Sequence, residues 1–307
     1  MPSSIFLSIL IPVYNWNVQP LLKKLYAQCC GVEMRGQVEI IVIDDGSSEK
    51  FDTASTAKKM SFVLYEELPI NRGRGSVRNV LLDKAKGDYV LFLDADMFPD
   101  HDDCVQVYFN WAKAGCEILC GGISYLQYRE REEDYSFYLY KSKKTEAFPA
   151  TVRNNVPWRY FFTSNILLRR DIVSSVRFDS RFKGYGFEDI EWAIRLSKTY
   201  KIIHIDNTCS HMGVICKERV YTNMRSSIVN YVLLLTIHPE QTAGNGAAKY
   251  ARKLRSLPVF FLRFLDIVLS RLFSFLPWNP LLFLVFQCDK VVLLAKALKK
   301  HSKVQPS

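Results

Sequence analysis

The sequence predicts an α/β fold: a doubly wound, mostly parallel sheet flanked by helices, followed by a C-terminal amphipathic helical hairpin. Three observations predict it. Short apolar runs alternate with helix-like segments over the first hundred residues, the order of a parallel sheet with crossover helices. Several of those runs end in polar or acidic residues, at the carboxyl edge where open α/β sheets bind ligands. The last fifty residues change to two long apolar stretches.

The elements follow in order. Phe6 to Pro12 reads as a first buried strand and Gln19 to Cys30 as a helix. Val38 to Ile43 is a second strand, Phe51 to Met60 a helix, and Phe62 to Glu66 a third strand. Gly75 to Ala85 is helical, and Tyr89 to Leu93 is a fully apolar strand of the kind buried on both faces. Beyond Asp96 the pattern loosens. Asp102 to Gly115 reads as a helix, Glu117 to Ser124 as a strand, and Val156 to Arg170 as a loop and a strand. Ile190 to Thr199 is helical and Lys201 to Ile205 a short strand. The charge run Arg129 to Asp134 reads as a solvated helix face. Leu257 to Leu276 and Leu281 to Leu298 form two helices broken by Pro277-Trp278-Asn279-Pro280. Arg263, Asp266, Ser270, Arg271 and Ser274 fall on one stripe of the first. Basic residues Lys296, Lys299, Lys300 and Lys303 follow. A wide apolar face with a basic tail fits peripheral attachment to a membrane surface; packing on the rest of the chain is the alternative.

The formal net charge of +10 permits nucleic acid, anionic membrane or nucleotide phosphates as partners. No nucleic-acid recognition motif accompanies it, so nucleic acid is not the expected partner. Eight scattered cysteines without a Cys-x-x-Cys pair fit a reduced, cytoplasmic protein. No uninterrupted apolar run reaches the roughly 18 residues of a transmembrane helix, and the N-terminus lacks a charged secretory region.

Four segments carry chemistry. Asp94-Ala95-Asp96 ends the strand Tyr89 to Leu93. Residues two apart share a side, so Asp94 and Asp96 present paired carboxylates suited to Mg²⁺ or Mn²⁺ shared with substrate phosphates. Ile11-Pro12-Val13-Tyr14-Asn15 ends the first strand; Tyr14 there either stacks on a planar base or covers the sheet edge. Asp44-Asp45-Gly46-Ser47-Ser48 ends the second and offers carboxylates to a base or ribose, although Asp-Gly-Ser is also an ordinary turn. Asn71-Arg72-Gly73-Arg74-Gly75-Ser76-Val77-Arg78-Asn79 opens a helix, with glycines and arginines that favour anions.

Leu7 to Asn15, Ile41 to Ser48, Asn71-x-Gly73 with Arg78-Asn79, and Gly87 to Asp96 resemble, in order and spacing, the family-2 glycosyltransferases. The resemblance covers about the first hundred residues. It implies a GT-A fold and a nucleotide-sugar donor, most often a UDP-sugar. The implied donor site comprises Pro12, Tyr14, Asp44, Asp45, Arg72, Arg78, Asp94 and Ala95, with Asp96 on the metal. In the second half, Thr163-Ser164-Asn165 and Gly184-Tyr185-Gly186-Phe187-Glu188-Asp189 resemble the acceptor region of galactosyl- and N-acetylgalactosaminyltransferases. That similarity implies Asp189 as general base, Glu188 as a sugar or acceptor ligand, and His211 as a second metal ligand; His204 competes for that role. Trp158, Tyr160 and Trp192 are candidates for stacking on the acceptor.

Taken together these imply a catalytic domain over residues 1–240, with a nucleotide half at 1–100 and an acceptor half at 101–240, and a helical extension at 250–307. The implied activity is inverting, metal-dependent transfer of one sugar to a saccharide acceptor. By family analogy the acceptor is lipid-linked, at the inner face of a bacterial membrane, in surface-polysaccharide assembly. A retaining transferase and a non-catalytic nucleotide-sugar-binding protein are the alternatives.

Overall fold

A computed structural model describes residues 5–128 and 135–301. The charge run Arg129 to Asp134 and the tail containing Lys303 lie outside the described residues. The chain forms two compact units. The first comprises Met1–Arg129, Glu146–Ser180 and Trp192–Gly213; the second comprises Glu130–Thr145, Arg181–Glu191 and Val214–Ser307.

The first unit holds β1 (Leu7–Val13), β2 (Val38–Asp44), β3 (Val63–Glu67), β4 (Tyr89–Leu93), β5 (Met97–Pro99), β6 (Ile118–Cys120), β7 (Ile123–Ser124), β8 (Asn165–Arg169), β9 (Ile202–His204) and β10 (Cys209–His211). Seven of them form a sheet in the order β3-β2-β1-β4-β8-β6-β9. β1 pairs parallel with both β2 and β4, and β2 parallel with β3. β8 runs antiparallel to β4 and β6. The remaining three form a small sheet, β5-β10-β7. This is the mixed α/β architecture that the alternating pattern predicts.

The apolar strands are uninterrupted because both faces are covered. Leu7, Ile9, Ile11, Leu91 and Leu93 join one core with Leu22, Leu25 and Phe109 of the helices Gln19–Cys29 and Cys104–Lys113. Their neighbours Leu10, Val90 and Phe92 point to the other core, with Leu81 of the helix Arg74–Lys84 and Trp192. The two-residue period of a strand thus feeds two cores at once.

The predicted strand Glu117 to Ser124 is two strands, β6 and β7, in different sheets. Gly121 and Gly122 make the break. A Cβ on Gly121 would lie 2.0 Å from the Tyr108 hydroxyl, and Gly122 has φ +92°. The chain can leave the large sheet there only without side chains.

The second unit is helical among its described residues. Its helices include Ser136–Thr145, Lys217–Ser226, Ile228–Ile237, Gly246–Leu254, Val259–Phe275 and Asn279–His301. Phe137 is buried against Phe273 and Phe286, with ring centroids 5.2 and 5.7 Å away. The hairpin break falls where expected, with Pro280 in the first turn of the last helix, the position that tolerates it. The polar stripe of Val259–Phe275 is not its solvent face throughout. Asp266 turns inward to Arg225 (2.9 Å) and Lys296. Arg225 also reaches Asp289 (2.9 Å), a wholly buried carboxylate that accepts the Tyr221 hydroxyl at 2.6 Å. The outward positions mix polar and apolar residues: Arg263, Arg271 and Ser274 are exposed, and so are Phe260 at 74% and Phe275 at 84%, with Phe264, Ile267 and Trp278 beside them in sequence. Among the described residues no helix is long and apolar enough to cross a membrane.

Candidate active site

Tyr14 follows β1 and is 53% exposed. Its neighbour Asn15 takes a left-handed conformation, φ 49°, which Asn tolerates better than most residues. The Asn15 side-chain oxygen accepts the backbone N–H groups of Ser48 (2.9 Å) and Glu49 (3.1 Å), while its own N–H bonds Ser47 Oγ (2.8 Å). The ends of β1 and β2 are thereby knotted together, and the Tyr14 ring is left at the edge. Pro12 lies within β1, in register with Ile43.

The two carboxylates after β2 are already engaged. Asp44 Oδ1 accepts the Ser47 N–H at 2.7 Å. Asp45 accepts one N–H on each oxygen, from Arg72 (2.8 Å) and Gly73 (2.9 Å). Burial raises the Asp45 pKa despite these bonds, with help from Asp44. Asp45 therefore braces the loop that opens the helix Arg74–Lys84. Gly46 completes the joint: a Cβ there would sit 2.6 Å from the Ile70 carbonyl carbon. The open depression beside it, about 450 Å³, is lined by Gly46, Ser47, Lys50, Glu67, Leu68 and Pro69.

Arg78 is 2% exposed and donates to Asp94 Oδ1 at 2.9 Å. Arg72 is exposed. Asp94 is thus anchored from the helix behind it, with Ala95 buried next to it.

Asp96 has a different partner. β10 runs antiparallel to β5 with His211 opposite Met97, and Met212 N–H bonds the Asp96 carbonyl at 2.7 Å. Asp96 Oδ2 and His211 Nε2 are 3.3 Å apart. Burial alone would raise the Asp96 pKa, but the His211 hydrogen bond and charge, with Arg74, hold it below the usual carboxylate range. His211 responds in the opposite sense: burial would lower it, but Asp96 raises it. Gly213 closes over the pair, since a Cβ there would lie 2.3 Å from Asp96 Oδ2. Asp100 ties the small sheet together, accepting hydroxyls from Ser124 (2.5 Å), Thr208 (2.6 Å) and Ser210 (2.6 Å).

His204 does not join this pair. It is buried, with Nδ1 accepting from Arg153 (2.7 Å) and Nε2 against the Pro157 carbonyl (2.9 Å). Trp192 corrects an expectation. It is 0% exposed, lies 4.2 Å from the Phe178 ring centroid, and donates its indole N–H to the Val176 carbonyl at 2.6 Å. A ring with both faces in the core cannot stack on an acceptor. Trp158 packs against the same core from its edge, and Tyr160 meets Phe148 edge-on at 5.4 Å.

In the second unit, the helix carrying Glu188 and Asp189 begins at Glu188, two residues earlier than the sequence pattern predicts. Both carboxylates therefore sit in its first turn, where the helix dipole favours negative charge. The turn before it holds Gly184 (φ +78°), Gly186 (φ +88°) and Phe187 (φ +73°). For a bulky residue such as Phe187 this costs about 1–2 kcal/mol, so the surroundings must hold it.

Several residues here escaped the sequence reading: Asn15, Arg74, Asp100 and Gly213. Asn15 and Arg74 lie within conspicuous segments, but the contacts of Asn15 with the β2 loop and the proximity of Arg74 to Asp96 depend on how those loops fold. Asp100, Ser124, Thr208 and Ser210 are ordinary polar residues until three strands bring them together.

Comparison with known proteins agrees with this geometry. The family model described as glycosyl transferase family 2 matches residues 8–177. The uncharacterized glycosyltransferase YfnE of Bacillus subtilis is 24% identical, over 76% of this chain and 75% of its own length. The amylovoran biosynthesis glycosyltransferase AmsB of Erwinia amylovora is 27% identical, over 68% of this chain and 70% of its own. The mannosyltransferase PcManGT of Pyrobaculum calidifontis, solved with GDP-Man and Mn²⁺, shares the fold: TM-score 0.54 at 16% identity, covering 99% of this chain and 89% of that one. A strand-end Asp-Ala-Asp, a knotted β1–β2 edge and a family match over more than half the chain lead to one conclusion: the chain belongs to glycosyl transferase family 2 and is a glycosyltransferase with a GT-A fold.

Proposed function

We propose that this glycosyltransferase moves a single sugar from a UDP-sugar to a saccharide acceptor, with inversion and with a divalent metal, in surface-polysaccharide assembly. The observation that carries it is the Asp96–His211 pair, 3.3 Å apart beneath Gly213. The Asp96 carboxylate offers the hard oxygen that Mn²⁺ and Mg²⁺ favour, with the His211 imidazole nitrogen beside it and the Gly213 backbone close against Oδ2. Among the described residues no group of three or more metal-ligating side chains occurs. An ion shared with substrate phosphates is commonly held by only one or two protein ligands. Asp96 and His211 would hold it, and such an ion, when bound, neutralises charge on the departing UDP.

The chain's own residues supply the rest. Tyr14 stacks on the base, and Asp45 keeps the Arg72-Gly73 backbone fixed beside it. Asp94, held by Arg78, meets ribose or sugar. Arg74 adds positive charge near the phosphates. Asp189 accepts the acceptor hydroxyl's proton as that oxygen attacks the anomeric carbon, and Glu188 holds the sugar or acceptor. One displacement on an α-linked donor gives a β-linked product. AmsB acts in amylovoran biosynthesis, which supports a saccharide acceptor. The exposed Phe260, Phe264, Ile267, Phe275 and Trp278, with exposed Arg263 and Arg271 among them, support a membrane-facing surface and a lipid-linked acceptor.

A screen of UDP- and GDP-sugars by UDP or GDP release identifies the donor. With that donor, Asp189→Asn abolishes transfer while UDP affinity stays within about threefold; lost UDP affinity instead makes Asp189 structural. Full activity in excess EDTA rejects the metal, and an α-linked product from an α-linked donor rejects inversion.

A further inference from the structure

We propose that Asn230 is a positioning residue for the Glu188-Asp189 carboxylates, acting by clamping the glycine-rich turn that precedes them. This rests on the reading of Asp189 as general base.

The helix Ile228–Ile237 has the sequence Ile-Val-Asn-Tyr-Val-Leu-Leu-Leu-Thr-Ile. Asn230 is a polar intrusion in an apolar run, only 4% exposed. A buried amide needs partners, and those it has are backbone carbonyls of one turn. Asn230 Nδ2 donates to Gly186 (2.9 Å) and Lys183 (3.0 Å), with Tyr185 at 3.4 Å. An amide NH₂ has two hydrogens, so the two shorter contacts saturate it. No other side-chain type of this size offers two such donors without a charge.

The turn needs such a clamp. Gly184, Gly186 and Phe187 all have positive φ. Two are glycines, which adopt this readily and leave it readily; the third is a residue that avoids it. A free chain would relax, and the helix start would swing with it. Two contacts oppose that. Asn230 fixes the carbonyls, and the next residue, Tyr231, stacks on the Phe187 ring at 4.5 Å and 14°. Tyr231 is in turn held by its hydroxyl to Asn245 Oδ1 at 2.6 Å. Adjacent residues of one helix thus pin the backbone and the ring of the turn. Glu188 is the next residue in the chain, and the Glu191 N–H bonds the Phe187 carbonyl at 3.0 Å, so the helix start inherits the turn's orientation. Strain held this way belongs at a site where direction matters.

The test compares Asn230→Ala and the isosteric Asn230→Asp with wild type and with Asp189→Asn. Asn230→Asp keeps the shape but turns a donor into an acceptor facing carbonyls. Both Asn230 variants are expected to lower kcat for UDP release about 10- to 100-fold, the scale of a small misplacement of a catalytic group. The Kd for UDP stays within about twofold of wild type. Amide hydrogen exchange rises across residues 183–190 and not across 7–13. If either variant folds poorly, Gly186→Ala perturbs the same turn from within and is expected to show the same split. Wild-type kcat in the Asn230 variants, with Asp189→Asn inactive, overturns the clamp and leaves the base reading intact. Wild-type transfer by Asp189→Asn overturns the base reading, and with it the role assigned to Asn230. Equal loss of kcat and UDP affinity overturns positioning in favour of general destabilisation.

Discussion

At the scale of single residues, the candidate site is set as much by missing atoms as by charged ones. Gly213 is the clearest case. A methyl group there would sit 2.3 Å from Asp96 Oδ2, and the carboxylate would have to turn away from His211. Gly213→Ala is expected to keep the fold and to weaken Mn²⁺-dependent donor binding at least tenfold, about 1.4 kcal/mol. Calorimetry with UDP, with and without Mn²⁺, measures this; unchanged affinity in Mn²⁺ places the ion elsewhere. The sequence announced the acidic members of the site because acids at strand ends are conspicuous. It gave no sign of Gly213, whose importance lies in a neighbour distant in sequence, Asp96. Asp45 carries the same lesson in reverse. Its position was legible, but its backbone partners at Arg72 and Gly73 depend on how the loop folds back.

Among elements, the parallel half was legible because β1, β2 and β4 are short apolar runs buried on both faces and alternate with helical segments. The split at Gly121-Gly122 was not, since two glycines in a row signal a break without saying which sheet the chain joins next. The helix Ser136–Thr145 shows only a weak apolar period, whereas Lys217–Ser226 and Gly246–Leu254 are amphipathic but short. The polar stripe of Val259–Phe275 was seen, yet its direction was not: Asp266 faces inward because Arg225 and Lys296 come from other helices. That network gives a prediction. Arg225→Ala removes the cation from Asp266 and from the buried Asp289 together. Loss of one partner of a buried pair costs about 3–5 kcal/mol; with Arg225 partly exposed, roughly 2–3 kcal/mol is expected, read as a lower urea midpoint. Restoring the loss by adding Asp289→Asn would locate the effect in that carboxylate.

For the molecule as a whole, stability should carry a signature of His204. Burial, with the charge of Arg153, pushes its pKa down to about 4, although the Pro157 carbonyl opposes the shift. The folded state therefore refuses a proton that the unfolded chain accepts below about pH 6.5. A depressed folded pKa means stability present above the unfolded value and lost as pH falls through the folded one. His204→Gln should flatten the fall in urea midpoint between pH 6.5 and 4 relative to wild type; an unchanged slope assigns that fall to other groups. The exposed aromatic face of Val259–Phe275 predicts a second global property. The chain should float with anionic vesicles, and Phe260→Glu with Phe264→Glu should abolish flotation without changing UDP affinity. Flotation by the double variant would reject that surface.

If Asp96 and His211 hold the proposed ion, the small sheet would also tie ligand binding to folding. Asp100 accepts a hydrogen bond from Ser210 across 110 positions of sequence, and Asp96 immediately precedes one of the two paired strands while His211 ends the other. A chain that has not closed this long loop has no paired ligands to offer. Metal and donor would then bind the native state alone, and their concentrations would enter its stability through mass action. The ion would be a wage on correct assembly: each tenfold of saturating ligand adds about 1.4 kcal/mol to unfolding.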